Sequence, residues 1–328
     1  MNVRFITPGD VEYYEASDLP ALLERTDGFI WIDVPEWSTT AEEALSHQPI
    51  GAHPMAIAAC KQRNHVPTIH AYAGHVFTVL HSPGIAKRGH VHMLELDQFI
   101  GTNFLVTVHG PLNPLVKLET ATEECDDVLR RIAFGRFAPT TPAELSFAIV
   151  SAMARRQRAA IGDIAEATPD LEQRVMEGDF RHPESLLEEM FLLRHELITI
   201  RTMAGQCREI YARMSSLDAI VPSTDLPHAR DLADQFERVR SIADGECQFL
   251  FGVIDLYQTR VTTKMTVAME RLAVIAAVTL PITAIASVYG MNVIVNEHTH
   301  VEQLILVLTV MLVISGSLLR WARKQGWW

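Results

Sequence analysis

Tyr289-Gly290-Met291-Asn292 stands in the gap between the two strongly apolar segments of the chain, close to its C-terminus. Upstream, Leu272 to Tyr289 is eighteen residues without a charge, and downstream Leu304 to Leu319 is sixteen. At about 1.5 Å per residue each is a minimal bilayer span, the second extendable through Gln303. The plainer reading is a buried helical hairpin in a soluble protein, and the flanks argue against it. Val293 to Gln303 holds Glu297 and Glu302 and no Lys or Arg, whereas Arg320, Arg323 and Lys324 follow the second segment at once. Basic flanks stay on the cytoplasmic side, so both termini are expected there, in a cell (inner) membrane protein. Trp321 and Gly326-Trp327-Trp328 put indole rings where the headgroup layer would be.

The 328 residues carry a formal charge of −12. That sum includes the basic membrane end, so the remainder is more acidic still, which disfavours nucleic acid as a partner and suits a protein that handles cations. Cys60, Cys125, Cys207 and Cys247 show no C-x-x-C spacing, consistent with a reducing setting. Met1-Asn2-Val3-Arg4 opens without an apolar signal region, so insertion is expected to rely on the C-terminal segments.

Working towards the N-terminus, the pattern predicts an α+β cytoplasmic domain over 1–142, an α/β sheet with flanking helices. Val3–Ile6, Phe29–Val34, His75–His81, His92–Asp97 and Phe104–His109 read as strands, with Gly101-Thr102-Asn103 as a hairpin turn. Leu19–Arg25, Pro54–Gln62 and Leu115–Ala133 read as helices. Residues 143–222 read as a helical hairpin, Ala143–Ile164 and Pro183–Ser215, the second with Leu186, Met190, Leu193, Leu197, Ile200 and Met203 at three and four spacing. A stalk helix over 223–271 continues without a stop signal into a span over 272–289, so that 227–289 would form one helix on the order of 95 Å long. A loop at 290–303, a second span at 304–320 and a basic, aromatic cytoplasmic tail at 321–328 complete the order.

Two spans alone cannot enclose a polar path in lipid, so a homo-oligomer is expected, with copies of the long helix around the axis. Asp255, Thr262, Thr266, Met269, Leu272, Ala276, Leu280 and Thr283 follow one another at helical spacing and form one stripe. A ring of Asp255 carboxylates would concentrate cations, and threonine rings would replace hydration contacts. Met269, Leu272, Ala276 and Leu280 would make a dry constriction. Asn292 would offer neutral amide oxygens to the water shell that Mg²⁺ gives up reluctantly, and the carbonyls that end the first span add partial negative charge.

These residues resemble the CorA-type magnesium and divalent metal ion transport proteins, whose Gly-Met-Asn signature stands here as Gly290-Met291-Asn292. The similarity extends to Asp255-Leu256-Tyr257, Pro281-Ile282-Thr283, His53-Pro54, and Asp97 through His109, so it covers nearly the whole chain. The resemblance implies a homopentameric funnel in the bilayer. Gly290, Met291 and Asn292 would be its selectivity ring, Asp255 an inner acidic ring, and Met269 with Leu272 the hydrophobic gate. It implies no cofactor, Mg²⁺ being the transported and in some members the regulatory ion, with Asp231 at the position of the stalk aspartate. This chain departs from the pattern at Ala58-Ala59, where the family commonly has a Glu-Asp pair, so regulation through that site is not expected. The loop Val293 to His300 also departs, although Glu297 could still gather cations.

Seven of the 14 histidines, His53, His65, His70, His75, His81, His90 and His92, lie within forty residues and are expected to be solvated. His90 and His92 would share a strand face, and with the zinc-carrying branch of the superfamily they define the rival reading, proton-coupled zinc transport. Cobalt and nickel are expected passengers. The sequence contains no Gly-rich phosphate loop, Gly-x-Ser-x-Gly elbow or paired-metal motif, so an anchored enzyme is not expected. A non-conducting membrane sensor would lack the polar stripe.

Overall fold

The computed structural model describes residues 1–46, 50–85, 91–110, 113–177, 183–216, 224–290 and 301–326. Strands β1 (Asn2–Thr7), β2 (Asp10–Tyr14), β3 (Phe29–Val34), β4 (Thr68–Tyr72), β5 (His75–Ile85), β6 (Val91–Gly101) and β7 (Phe104–Val108) form one sheet in the order β2-β1-β3-β7-β6-β5-β4. Every residue of β3 and β7 is buried. Runs of this kind, apolar but for Asp33 and Thr107, belong at the centre of a sheet, covered on both faces. Those two strands pair in parallel, Ile30 beside Phe104 and Val34 beside Val108, and the remaining pairs are antiparallel.

Helices α1 (Leu19–Leu22), α2 (Thr39–Ser46) and α3 (Pro54–Cys60) cover one face, where Leu22, Leu45 and Ile57 share a core with Phe5, Ile32, Phe77, Phe99 and Val106. Each such side chain contributes about 1.5–3 kcal/mol on leaving water. The other face meets α4 (Leu118–Ala121), α5 (Glu123–Ala133), α6 (Pro142–Glu177) and α7 (Pro183–Met214). There the Ser146 hydroxyl donates to Gln98 Oε1 at 2.7 Å, and the Gln157 amide donates to the His81 carbonyl at 3.2 Å. Helices α8 (Leu226–Gly290) and α9 (Val301–Lys324) follow. The chain divides into two compact units, residues 1–174 with 179–252, and residues 175–178 with 253–328.

The sheet and its flanking helices, the long helix and the two apolar helices match the expected class. Several elements differ in extent. Strands β2 and β4 and helix α2 went unread. Both strands lie at sheet edges and neither alternates in burial, so pairing with the neighbouring strand, rather than pattern, makes them strands. The single helix expected over Leu115–Ala133 breaks at Thr122, whose hydroxyl donates to Asp126 at 2.8 Å. Helix α6 continues past Ile164 and through Pro169 to Glu177, because Ile161, Ile164, Thr168, Leu171 and Val175 keep a buried stripe at three and four spacing. Helix α9 starts at Val301, three residues before Leu304.

Gly101 closes the β6–β7 hairpin against the Phe104 ring, where an added Cβ would lie 2.5 Å from Cε1. Gly101→Ala is therefore expected to cost about 1–3 kcal/mol, because the ring is buried and cannot swing clear. Thermal unfolding of the full chain in detergent checks this, and an unchanged midpoint would show that the hairpin relaxes freely.

Candidate ion path and buried polar groups

Helix α8 carries two different surfaces along one backbone. From Ala229 through Leu232, Phe236, Val239, Ala243, Cys247, Leu250, Ile254 and Tyr257, buried residues recur at three and four spacing. Beyond Tyr257 the only residue of α8 that is buried is Val274. Both α8 and α9 contain an eighteen-residue stretch of mean hydropathy 2.1, with 6% of it buried in α8 and none in α9. A core helix of a soluble protein buries its apolar side chains. These expose them, so the buried-hairpin alternative does not hold among the described residues.

Asp255, Thr262, Thr266, Met269, Leu272, Ala276, Leu280 and Thr283 are all exposed on α8. At about 100° per residue they fall within an arc of about 120°, a third of the circumference. Asp255 is exposed while its neighbours Val253, Ile254 and Tyr257 are buried, so its carboxylate points away from the core-facing stripe. The Thr266 hydroxyl donates to the Thr262 carbonyl at 3.0 Å and that of Thr283 to the Thr279 carbonyl at 2.8 Å. Each hydroxyl proton is thereby committed to the helix, and the oxygen lone pairs remain to accept. Gly290 is the last residue of α8; Met291, Asn292 and Glu297 lie outside the described residues.

Asp231 is exposed on the same helix and accepts from the Gln235 amide at 2.7 Å. Ala58 and Ala59 sit on α3, one exposed and one half-buried. His53, just before them, caps α3 by accepting from the Met55 amide at 3.2 Å, with Pro54 in the first turn. Its ring stacks on Tyr72 with centroids 4.2 Å apart.

The histidine expectation needs correction. His65 and His70 are exposed, but His75 and His81 are buried in the sheet, 6% and 1% exposed. Burial holds both imidazoles below the usual value, reinforced at His75 by His53 and opposed at His81 by the Asn64 carbonyl 2.7 Å from Nε2. Their strand positions face the core, so they are packing residues. His92 Nδ1 lies 3.1 Å from the Asn113 amide, and His90 lies outside the described residues.

Sequence reasoning missed two buried polar clusters. Asp33 interrupts an otherwise apolar strand, which was the signal available: a buried carboxylate demands partners. It receives the Thr107 hydroxyl at 2.7 Å and lies 2.9 Å from His109 Nε2, whose Nδ1 lies 2.9 Å from the Ala121 carbonyl. With Cys125 these residues form the group of three metal-type donors within 4.8 Å of one another among the described residues. Both ring nitrogens of His109 face acceptors, so an imidazolium paired with a carboxylate satisfies the site. In the second cluster, Glu95 accepts from the backbone and side-chain amides of Asn64, both at 2.7 Å. Burial, and then the charge of Glu95, push the Asp97 carboxyl well up, and burial raises Glu95 as well.

Residues 26–324 match the sequence model of the CorA-like Mg²⁺ transporter protein family. The chain belongs to that family. The putative metal ion transporter YfjQ of Bacillus subtilis is 24% identical over all of this chain and 98% of its own length. The cobalt/magnesium transport protein CorA of Thermotoga maritima is 22% identical over 96% of this chain and 88% of that protein. Among solved structures, the CorA magnesium transporter of Methanocaldococcus jannaschii superposes with a TM-score of 0.79 at 16% identity, covering 100% and 99% of the two chains. The cytoplasmic domain of ZntB from Vibrio parahaemolyticus superposes at 0.59 with 10% identity, covering 80% of this chain and 98% of that one. This CorA-family protein is thus a membrane transporter of divalent cations with two apolar C-terminal helices.

The Asp33–His109 pair makes stability depend on pH. Burial alone would raise the Asp33 carboxyl, but the His109 hydrogen bond and charge outweigh it and hold it below 3.8. Burial alone would lower His109, and Asp33 outweighs that in turn, holding it above 6.5. The Asp33 contribution is present above 3.8 and lost as pH falls through its depressed value. The His109 contribution is complete below 6.5 and lost as pH rises through its raised value. Asp33→Asn is expected to destabilise the protein by about 3–5 kcal/mol between pH 4 and 6.5, and by less on either side. Denaturation midpoints of wild type and variant against pH measure this, and a pH-independent gap would dismiss the ion pair.

Proposed function

We propose that this CorA-family protein forms a homopentameric channel that admits hydrated Mg²⁺, with Co²⁺ or Ni²⁺ as passengers, down its electrochemical gradient. The observation that carries the reading is the exposed stripe of α8, polar at both ends and apolar between, confined to one third of the helix surface. A hydrated cation turns the hydrogens of its waters outwards, so a pore that keeps the shell intact must offer acceptors. Thr266 and Thr283 do so with their hydroxyl protons already committed, and Thr262 lies in the same stripe. Asn292, with Gly290 and Met291, forms the outer ring that captures the hydrated ion, and Glu297 gathers cations there. Met269, Leu272, Ala276 and Leu280 close the path when dry, and Asp255 draws the ion towards the cytoplasm. Each charge gains about 2.3 kcal/mol per 100 mV of inward-negative potential, so a dication needs no second energy source. The protein lies in the cell (inner) membrane with both termini cytoplasmic, and it needs no resident cofactor.

Zinc carriage coupled to protons is the second reading, favoured by the likeness to the ZntB cytoplasmic domain. The burial of His75 and His81 removes two of the ligands it would draw upon. Uptake of Mg²⁺ and Zn²⁺ into liposomes, each with and without a proton gradient, separates the two. Voltage-driven Mg²⁺ entry indifferent to protons is expected, and proton-coupled Zn²⁺ entry with little Mg²⁺ flux would replace this reading by the other. In the same assay Asn292→Ala should lower Mg²⁺ flux about tenfold or more with the oligomer intact, the loss of roughly one hydrogen bond's worth of capture. Normal flux would remove Asn292 from the filter.

Regulation by cytoplasmic Mg²⁺ through Asp231 would require a facing carboxylate, and α3 offers only the methyl groups of Ala58 and Ala59. Asp231→Ala should therefore leave Mg²⁺ inhibition nearly unchanged. A large loss of inhibition would mean that another group completes a regulatory site there.

A further inference from the structure

Four arginines of the N-terminal unit converge on one cleft of about 350 Å³: Arg131 of α5, Arg155 and Arg158 of α6, and Arg238 of α8, with Phe137 and Phe147 in its walls. Arg155 and Arg158 are three apart on α6 and share a face. Arg155 is paired with Asp127 at 3.2 Å. Asp231 lies nearby, but its carboxylate accepts from Gln235, itself a residue of the cleft wall. Among the described residues Arg131, Arg158 and Arg238 form no ion pair, although the chain as a whole is strongly acidic at −12. Arg131 is instead held by the Phe137 ring, its guanidinium carbon 5.3 Å from the centroid. Arg158 and Arg238 are exposed and Arg131 is half-buried, so their guanidinium groups remain available to a multivalent anion seated between them.

We propose that this cleft binds an anion with linked phosphates, a nucleoside di- or triphosphate. Planar guanidinium forks match phosphate oxygens bidentately, and four cations against one carboxylate call for about three negative charges. The aromatic walls add a surface on which a base can stack. A volume of about 350 Å³ lies within the range of small-molecule sites. The ligand would join α5 and α6 to the first turns of α8. This site is separate from the metal path and does not depend on which cation the protein carries.

The test is calorimetric titration of the full-length protein in detergent, in magnesium-free buffer with chelator, using ADP, inorganic triphosphate and inorganic phosphate in turn. Saturable ADP binding is expected, with inorganic phosphate weaker by about tenfold or more and affinity falling as salt rises. Arg158→Ser with Arg238→Ser should weaken ADP binding about tenfold or more, and the corresponding double lysine variant, which keeps charge but loses the fork, should fall between. Inorganic triphosphate binding as tightly as ADP would uphold the anion site and assign it to the phosphate chain alone. Absence of saturable binding by any of the three anions, or equal binding in wild type and the double serine variant, would overturn the proposal. So would a wild type that binds no anion beside a double variant that loses its oligomeric state, since the arginines would then be subunit contacts.

Discussion

The backbone of α8 runs as one helix from Leu226 to Gly290 and pairs its interior amides and carbonyls within itself, except where Pro281 lacks an N–H, and both the core-facing stripe and the ion path depend on that constraint. A helix needs no outside partner for its interior amides and carbonyls, so it can pass between environments without a break. Only its side chains have to change. Up to Tyr257 a stripe at three and four spacing turns Leu232, Phe236 and Leu250 inwards. From Leu272 onwards, Leu272 and Leu280 are exposed at 65% and 66%. The acceptor-only threonines are a consequence of the same geometry, since a helix returns each hydroxyl proton to the carbonyl four residues back.

The sheet is tied to its helices by buried charges rather than by apolar packing alone. Asp33 and His109 join β3 to the end of β7, and the His109 ring reaches on to Ala121 in α4. Ser82 of β5 donates to Glu124 of α5, which also meets Arg156 of α6 at 3.2 Å. Such pairs repay their desolvation only when every remaining lone pair is used, and in exchange they fix one orientation of α5 and α6 against the strands. That orientation brings Arg131, Arg155 and Arg158 to one cleft. The acidic balance of the chain therefore hides a local excess of positive charge, which a whole-sequence sum cannot register.

Much of this protein is written locally. Phe29–Val34 and Phe104–Val108 announce strands through apolar runs broken only by Asp33 and Thr107, and the α7 stripe appears directly in the spacing of Leu, Met and Ile. The path along α8 is equally local, because eight side chains of one helix share a face by arithmetic alone. What stayed hidden involves residues far apart in the chain. Edge strands β2 and β4 exist because a neighbour offers them hydrogen bonds. His75 and His81 read as surface residues until pairing with β6 placed them towards the core.

The sequence by itself determined the two apolar segments, the basic end that follows them, the long helix and its stripe, and the Gly290-Met291-Asn292 signature, since each depends on residues within a few turns of one another. The tertiary structure alone decided that Asp33 meets His109, seventy-six positions away, that Glu95 accepts from both amides of Asn64, and that arginines from three helices surround one cleft. Contacts of that kind leave no periodic trace. They arise where strand order and helix packing close a long loop of chain, and the free energy that closes it comes from apolar surface distributed over the whole sheet rather than from the residues that are brought together.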